Sequence, residues 1–341
     1  MPPVIDFSVV DPLDANTAKF ISISNIVDGI QDFAQGGSLD PNVNLASARH
    51  ILSRVSTSRR ALNPSSQRLL RICWHTELAA QILSNLPTAS GSAPDPELLA
   101  TLRRVSSQTL PVQVYYAIFN AARCLTETLG SPCSTHAQVQ RDFVNRTRSL
   151  AGPWAVTHSG DPEVVSTCTF SRNIAPGFTP FNPMEQGREP GEYLALGLRM
   201  TRRWQIESKR AEWLKNSAHR TGRGKPYKVL PSHGRSEILA SLRPTTVLDL
   251  VYELRRRTNY ESADEYGSHA DDLAVARFHG GMLHLLDSGL LVYESELVRA
   301  IGIDSFIATS TAWRNSLGRI NDWALRAFDR RTSTISTAAG R

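Results

Sequence analysis

The sequence predicts a mainly α protein: a helical bundle interrupted by a small insertion that contains a β-hairpin. Three observations point there. Long stretches before residue 150 and after residue 240 repeat apolar residues at helical spacing. At Gly152 the pattern changes to short runs of β-branched and aromatic residues, with Asp161-Pro162 between them. A strongly cationic segment then separates these runs from the second helical stretch. With 341 residues, 41% of them hydrophobic and 21% charged, the chain can bury a large core.

The elements follow in order. Residues 1–45 read as an irregular segment broken by Pro, Asp and Gly, with a short strand at Val4 to Val10. A helix is expected from Leu45 to Val55. Asn63-Pro64-Ser65 starts the next one, because proline is tolerated in a first turn and Leu69, Leu70, Ile72, Cys73, Leu78, Ala79, Ile82 and Leu83 follow at helical period. Pro87 to Pro96 is a loop. Asp95-Pro96-Glu97 opens a helix to Ser107, and Leu110 to Leu129 forms a long aromatic helix stopped by Gly130-Ser131-Pro132. Thr135 to Leu150 is amphipathic.

Trp154 to Thr157 and Val164 to Phe170 read as a hairpin or small sheet. Pro176 to Pro190 is a connector. A basic helix spans Tyr193 to Ala218 and trails into a loop, Arg220 to Lys228. Helices return at Thr245 to Arg257, Asp271 to Ser288, Ser295 to Ile301 and Ser305 to Phe328. The polar Arg330 to Arg341 is expected to fray. The plan is therefore an irregular segment (1–45), a first part of the bundle (46–150), an insertion with hairpin and basic arm (151–240), a second part of the bundle (241–328) and a flexible tail (329–341).

Composition narrows the function. No stretch approaches the roughly 18 to 20 apolar residues of a membrane span. Met1 to Asp14 lacks a basic start followed by an apolar run, so no secretory leader is expected. The four cysteines form no C-x-x-C pair and read as reduced thiols of a cytoplasmic protein. The net charge of +6 is uneven. Between Arg199 and Arg235 eleven Lys or Arg face two acids, a local +9, which leaves the rest of the chain at −3.

Two short motifs carry the chemistry. In Tyr115-Tyr116-Ala117-Ile118-Phe119-Asn120-Ala121-Ala122-Arg123-Cys124-Leu125, the residues Tyr115, Phe119 and Ala122 share one face, which core packing alone explains. Tyr116, Asn120 and Arg123 form the adjacent stripe, and buried Asn and Arg need partners. In Glu253-Leu254-Arg255-Arg256-Arg257-Thr258-Asn259-Tyr260, three arginines fan around a helix end. The helix dipole favours cations there, and a phosphate clamp is the functional alternative.

Together the two motifs resemble the inner helices of the HEPN superfamily of prokaryotic helical-bundle proteins. That resemblance implies a bundle that pairs as a homodimer or within a complex. It also implies a choice of roles: many members are RNA-cleaving toxins or defence effectors, whereas others have lost catalysis and act as binding partners. The nuclease branch carries Arg, four to six residues, then His; here Arg255 is followed by Tyr260. A His frequent in the family is replaced by Asn120. The Arg-to-His spacing also occurs as Arg68 to His75 and Arg277 to His284, no more often than chance supplies. Tyrosine is a poor base near neutral pH, its ordinary pKa being about 10. Ser134-Thr135-His136 resembles a recurrent family helix start; a plain helix cap beside an exposed His is the alternative. The candidate catalytic set is Arg255, Arg257, Asn259, Tyr260, Asn120, Arg123 and His136.

The basic arm points independently to a partner. Arg202, Arg203, Lys209, Arg210, Arg220, Arg223, Lys225 and Lys228 are candidates for binding nucleic acid, interleaved with Trp204, Trp213 and Tyr227, which could stack on unpaired bases. A solvated helix whose tryptophans pack on the bundle fits the same pattern, and so does an acidic protein partner. His75-Thr76-Glu77 with Pro132-Cys133-Ser134-Thr135-His136 faintly echoes a zinc-deaminase pattern, but without strand context. Neither a metal nor a cofactor is expected.

Two functions fit. One is an RNA-directed effector, a metal-independent endoribonuclease if active, of a bacterial antiviral defence or toxin–antitoxin system. The other is a non-catalytic HEPN-like subunit that binds nucleic acid or a partner protein and regulates a separate enzyme.

Overall fold

A computed structural model describes residues 41–53, 60–89, 96–147, 154, 156–162, 169–170, 190–216, 218–221, 224–260, 272–318, 320 and 322–340. The expected strand at Val4 to Val10 and the connector from 176 to 189 lie outside these residues. The fold is mainly helical. Its helices are α1 (Pro41–Leu52), α2 (Pro64–Ala89), α3 (Pro96–Thr128), α4 (His136–Thr147), α5 (Pro190–Lys215), α6 (Ser232–Ser241), α7 (Val247–Tyr260), α8 (Asp272–Ile301), α9 (Ile303–Ser316) and α10 (Asp322–Ala338). Three short strands, β1 (Val156–His158), β2 (Thr169–Phe170) and β3 (Thr245–Thr246), form one sheet in the order β2-β1-β3.

The centre of the bundle is α3, which packs against α2, α4, α7 and α8. From Leu110 to Leu125 it is buried on nearly all sides, as an apolar helix must be. The sequence suggests two helices here, but α3 is continuous, with Pro111 inside it. Proline removes one backbone bond; burial of Ser106, Ser107, Leu110 and Val114 around it holds the helix through that gap. The longer α8 likewise runs through the expected break near Ser288. Gly289 lets the two helices approach: an added Cβ would lie 3.0 Å from both Ile118 and Trp154.

The antiparallel pair β1–β2 joins Val156 to Phe170 and Thr157 to Thr169. A third strand, read from sequence as the start of a helix, pairs Thr157 with Thr246 and His158 with Thr245. Thr246 then caps α7 with Asp249. The Asp249 carboxylate accepts from the Thr246 backbone N–H at 2.8 Å and its hydroxyl at 3.0 Å, and Arg243 grips the same carboxylate from outside. The sheet thus ties the insertion to the second part of the bundle.

The chain end departs from expectation. Residues 329–338 continue α10 and do not form a tail. Arg331, only 2% exposed, is the reason. Its guanidinium bonds Glu77 at 2.6 and 2.7 Å, Glu294 at 2.7 and 3.1 Å and Asp287 at 3.0 Å. Trp74 Nε1 also donates to Glu294, at 2.7 Å. Without this arginine Glu77 and Glu294 would lose their buried cation, and Asp287 would be left to its pairing with the exposed Arg330 at 2.7 Å.

Candidate functional site

The site forms where α3, α4 and α7 meet. Thr135 caps α4: its hydroxyl accepts from the Gln138 N–H at 3.3 Å, and the Gln138 side chain accepts back from the Ser134 and Thr135 N–H groups at 2.9 and 3.0 Å. The cap reading of Ser134-Thr135-His136 therefore holds, but His136 is half-buried, not exposed. The cap fixes the entry of α4 and aims His136 into an aromatic cluster. Its ring lies 4.7 Å from Phe119, 5.4 Å from Tyr115 and 5.5 Å from Tyr252, centroid to centroid.

Two hydrogen bonds organise the cluster. Tyr115 Oη lies 2.9 Å from His136 Nδ1. Arg255 Nη2 donates to Tyr116 Oη at 2.7 Å, and its guanidinium sits over the rings of Tyr116 (5.1 Å), Tyr252 (5.7 Å) and Tyr115 (5.9 Å). Burial pushes the Tyr115 phenol well above its ordinary range, so it keeps its proton. Burial, and less strongly Arg255, lowers the pKa of His136, so the imidazole is neutral near pH 7. A phenol and a neutral imidazole share this hydrogen bond; in the tautomer where the phenol donates to Nδ1, the imidazole proton lies on Nε2. The cluster then offers donors and positive charge.

The other candidates divide. Asn120 turns back on its own helix, donating to the Tyr116 carbonyl at 2.8 Å. Arg123 lies half-buried over Phe119, 5.6 Å from the ring centroid, at the edge of the cluster. Arg257 leaves the cluster and stacks on Trp204 of α5 at 3.8 Å. Asn259 and Tyr260 end α7, but their side chains lie outside the described residues, as does Arg223. Of the seven candidate catalytic residues, His136 and Arg255 enter one cluster through Tyr115, Tyr116 and Tyr252, which both touch, and Arg123 borders it. Sequence reasoning placed Tyr115 and Tyr116 in the motif without a site role and missed Tyr252. That tyrosine precedes Arg255 by three residues, one helical turn, which was the available signal.

The basic arm needs correction at several positions. Arg202 is a buried strut, 1% exposed. It donates to the carbonyls of Arg243 at 2.6 Å, Ser159 at 3.2 Å and Leu239 at 3.5 Å, which join α5 to the sheet and α6. It is not available to a ligand. Lys209 pairs with Glu212 and Arg210 with Glu207 along α5, exposed links that contribute little. Arg203, Arg220, Lys225 and Lys228 are exposed. The aromatics are spoken for. Trp213 is buried, donates to Glu237 at 2.9 Å, stacks on His219 at 4.0 Å and meets Tyr227 at 5.5 Å.

The faint zinc pattern also dissolves into other contacts. Glu77 belongs to the Arg331 cluster, and His75 Nε2 accepts from Trp313 Nε1 at 3.3 Å. Among the described residues no group of three or more His, Cys, Asp or Glu could hold a metal ion, and no described helix is long and apolar enough to cross a membrane.

No protein-family model matches the chain, and searches of curated proteins and of solved structures likewise return no match.

Proposed function

We propose that this chain is a HEPN-like helical-bundle subunit that binds nucleic acid, RNA foremost, without cleaving it. This is the second of the two functions drawn from the sequence, and in a bacterial defence or toxin–antitoxin setting such a subunit regulates a separate catalytic chain. One observation carries it: Tyr115 occupies Nδ1 of His136 while Arg255 is held by Tyr116. Metal-independent RNA cleavage needs a base to take the 2′-hydroxyl proton. In the tautomer protonated at Nε2, the lone pair of His136 that could do so is engaged by the Tyr115 phenol, which stays protonated. A neutral N–H donor beside guanidinium groups suits a phosphate that is held in place.

Two further observations support binding over cleavage. Tyr260 stands where the Arg-to-His pattern needs His. The cations of the arm lie on α5 and the loop after it, whereas the cluster is built from α3, α4 and α7, a spread that suits an extended polyanion.

The test is incubation of purified protein with transfer RNA, ribosomal RNA and unstructured RNA, with Arg255→Ala alongside. The reading expects retention of RNA by the protein in a salt-sensitive way, with no fragments above those of a buffer control. Fragments produced by the native chain and lost in Arg255→Ala would make it a nuclease with a non-standard site.

A further inference from the structure

The connection between α5 and α6 is a cationic tip whose described residues pack on one another. Between Glu212 and Glu237 the chain contains no acid and six cations. One of them, Arg235, is paired with Asp161 at 2.8 Å. Lys215, Arg220, Lys225 and Lys228 are exposed and, among the described residues, have no ion-pair partner.

The tip is held by its own small core. Trp213, Ile206 and Ile238 are buried there, with Tyr227, Leu230 and Leu239 packed on them. His219 lies flat on Trp213, 16° from parallel, and its Nδ1 donates to the Trp213 carbonyl at 2.9 Å. Gly234 presses on the other side: an added Cβ would sit 2.8 Å from the indole. The loop itself is closed by Thr221 N–H to the Lys225 carbonyl and by Gly224 N–H to the Thr221 carbonyl, both 2.8 Å. Gly224 has φ +71°, a left-handed turn position that other residues resist.

Resting on the nucleic-acid reading above, we infer that this tip docks the phosphate backbone of duplex RNA. Binding single strands depends on aromatic faces that accept unpaired bases. Here Trp213 and Tyr227 face inward, and Trp204 carries Arg257. The faces of these three rings are engaged in packing, which leaves charge as the main feature on offer, and a duplex concentrates phosphates more densely than one strand does. A protein partner would need a buried apolar anchor at the centre of the contact. Val229 is the large apolar side chain exposed on this loop, too little for such an anchor.

The experiment is fluorescence anisotropy with a short labelled RNA duplex and a uridine-only strand of the same length. Both are titrated with the full chain and with the Lys225→Ala/Lys228→Ala variant, whose folding is checked by tryptophan emission. The expected result is tighter binding of the duplex. In the variant, the slope of log affinity against log salt should fall by about 1 per lysine removed. Equal or tighter binding of the single strand would overturn the inference and leave RNA binding standing. Duplex binding unchanged in the variant would move the contact away from the tip. Failure to bind either RNA, with or without capture of polyglutamate, would sink the nucleic-acid reading together with this inference.

Discussion

At the scale of single residues, the proposed function turns on how His136 is protonated. Its Nδ1 is engaged by the Tyr115 hydroxyl at 2.9 Å, and its pKa is lowered by burial and then by Arg255. Removing the nearby charge must relieve the second effect, so Arg255→Ala should raise the His136 pKa. In Tyr115→Phe, Nδ1 loses its hydrogen-bond partner and the imidazole should show both neutral tautomers. Nitrogen-15 NMR of the histidine side chains across a pH titration reads both changes. An unmoved pKa in Arg255→Ala would separate the arginine from the cluster. His136 was legible in the sequence because it opens a helix after a Ser-Thr cap, and Arg255 because it begins a run of three arginines. Arg202 was not, because a cation looks the same on the surface as in a strut bonded to three carbonyls. Depth is set by tertiary packing, which local pattern does not encode.

At the scale of elements, α10 shows how far a polar pattern can mislead. Its last turns are rich in Arg, Thr and Ser, yet Arg331 is among the most buried side chains. Burial pushes its pKa down, but Glu294 and Glu77 outweigh this and keep the guanidinium charged. Arg331→Ala would leave those carboxylates and Asp287 without their buried cation. It should cost about 3–5 kcal/mol in urea unfolding. Arg326→Ala, on the exposed face of the same helix, should stay within about 0.5 kcal/mol. Equal effects would show that the cluster contributes nothing special.

The helix α6 escaped sequence reading for a related reason. Ser232-His233-Gly234-Arg235 carries little apolar periodicity, and packing of Gly234 on Trp213 fixes its place. The β1–β2 pair was legible from its β-branched runs, whereas two-residue β3 blends into the start of α7. Long apolar periodicity made α2, α3 and α8 readable; the breaks expected inside α3 and α8 were misjudged, and so was the loop expected from Pro87, because α2 runs on to Ala89.

At the scale of the whole molecule, a buried helical core supports two separate cationic regions. One is the Arg255–His136 cluster between α3, α4 and α7; the other is the tip beyond α5. The Arg257–Trp204 stack and the Arg202 strut fasten α5 to the rest. Charge asymmetry along the chain made the second region visible in sequence. Whether its aromatics faced outward was not, because tryptophan and tyrosine serve equally as core or as platform. On the proposed reading, these two regions hold a polyanion and the chemistry falls to another chain.

The most direct test is to bind a structured RNA at low salt, raise the salt stepwise while following affinity, and then recover the RNA and measure its length. The account predicts a linear loss of log affinity with log salt and full-length RNA at the end. Recovery of specific fragments, or affinity indifferent to salt, would contradict it.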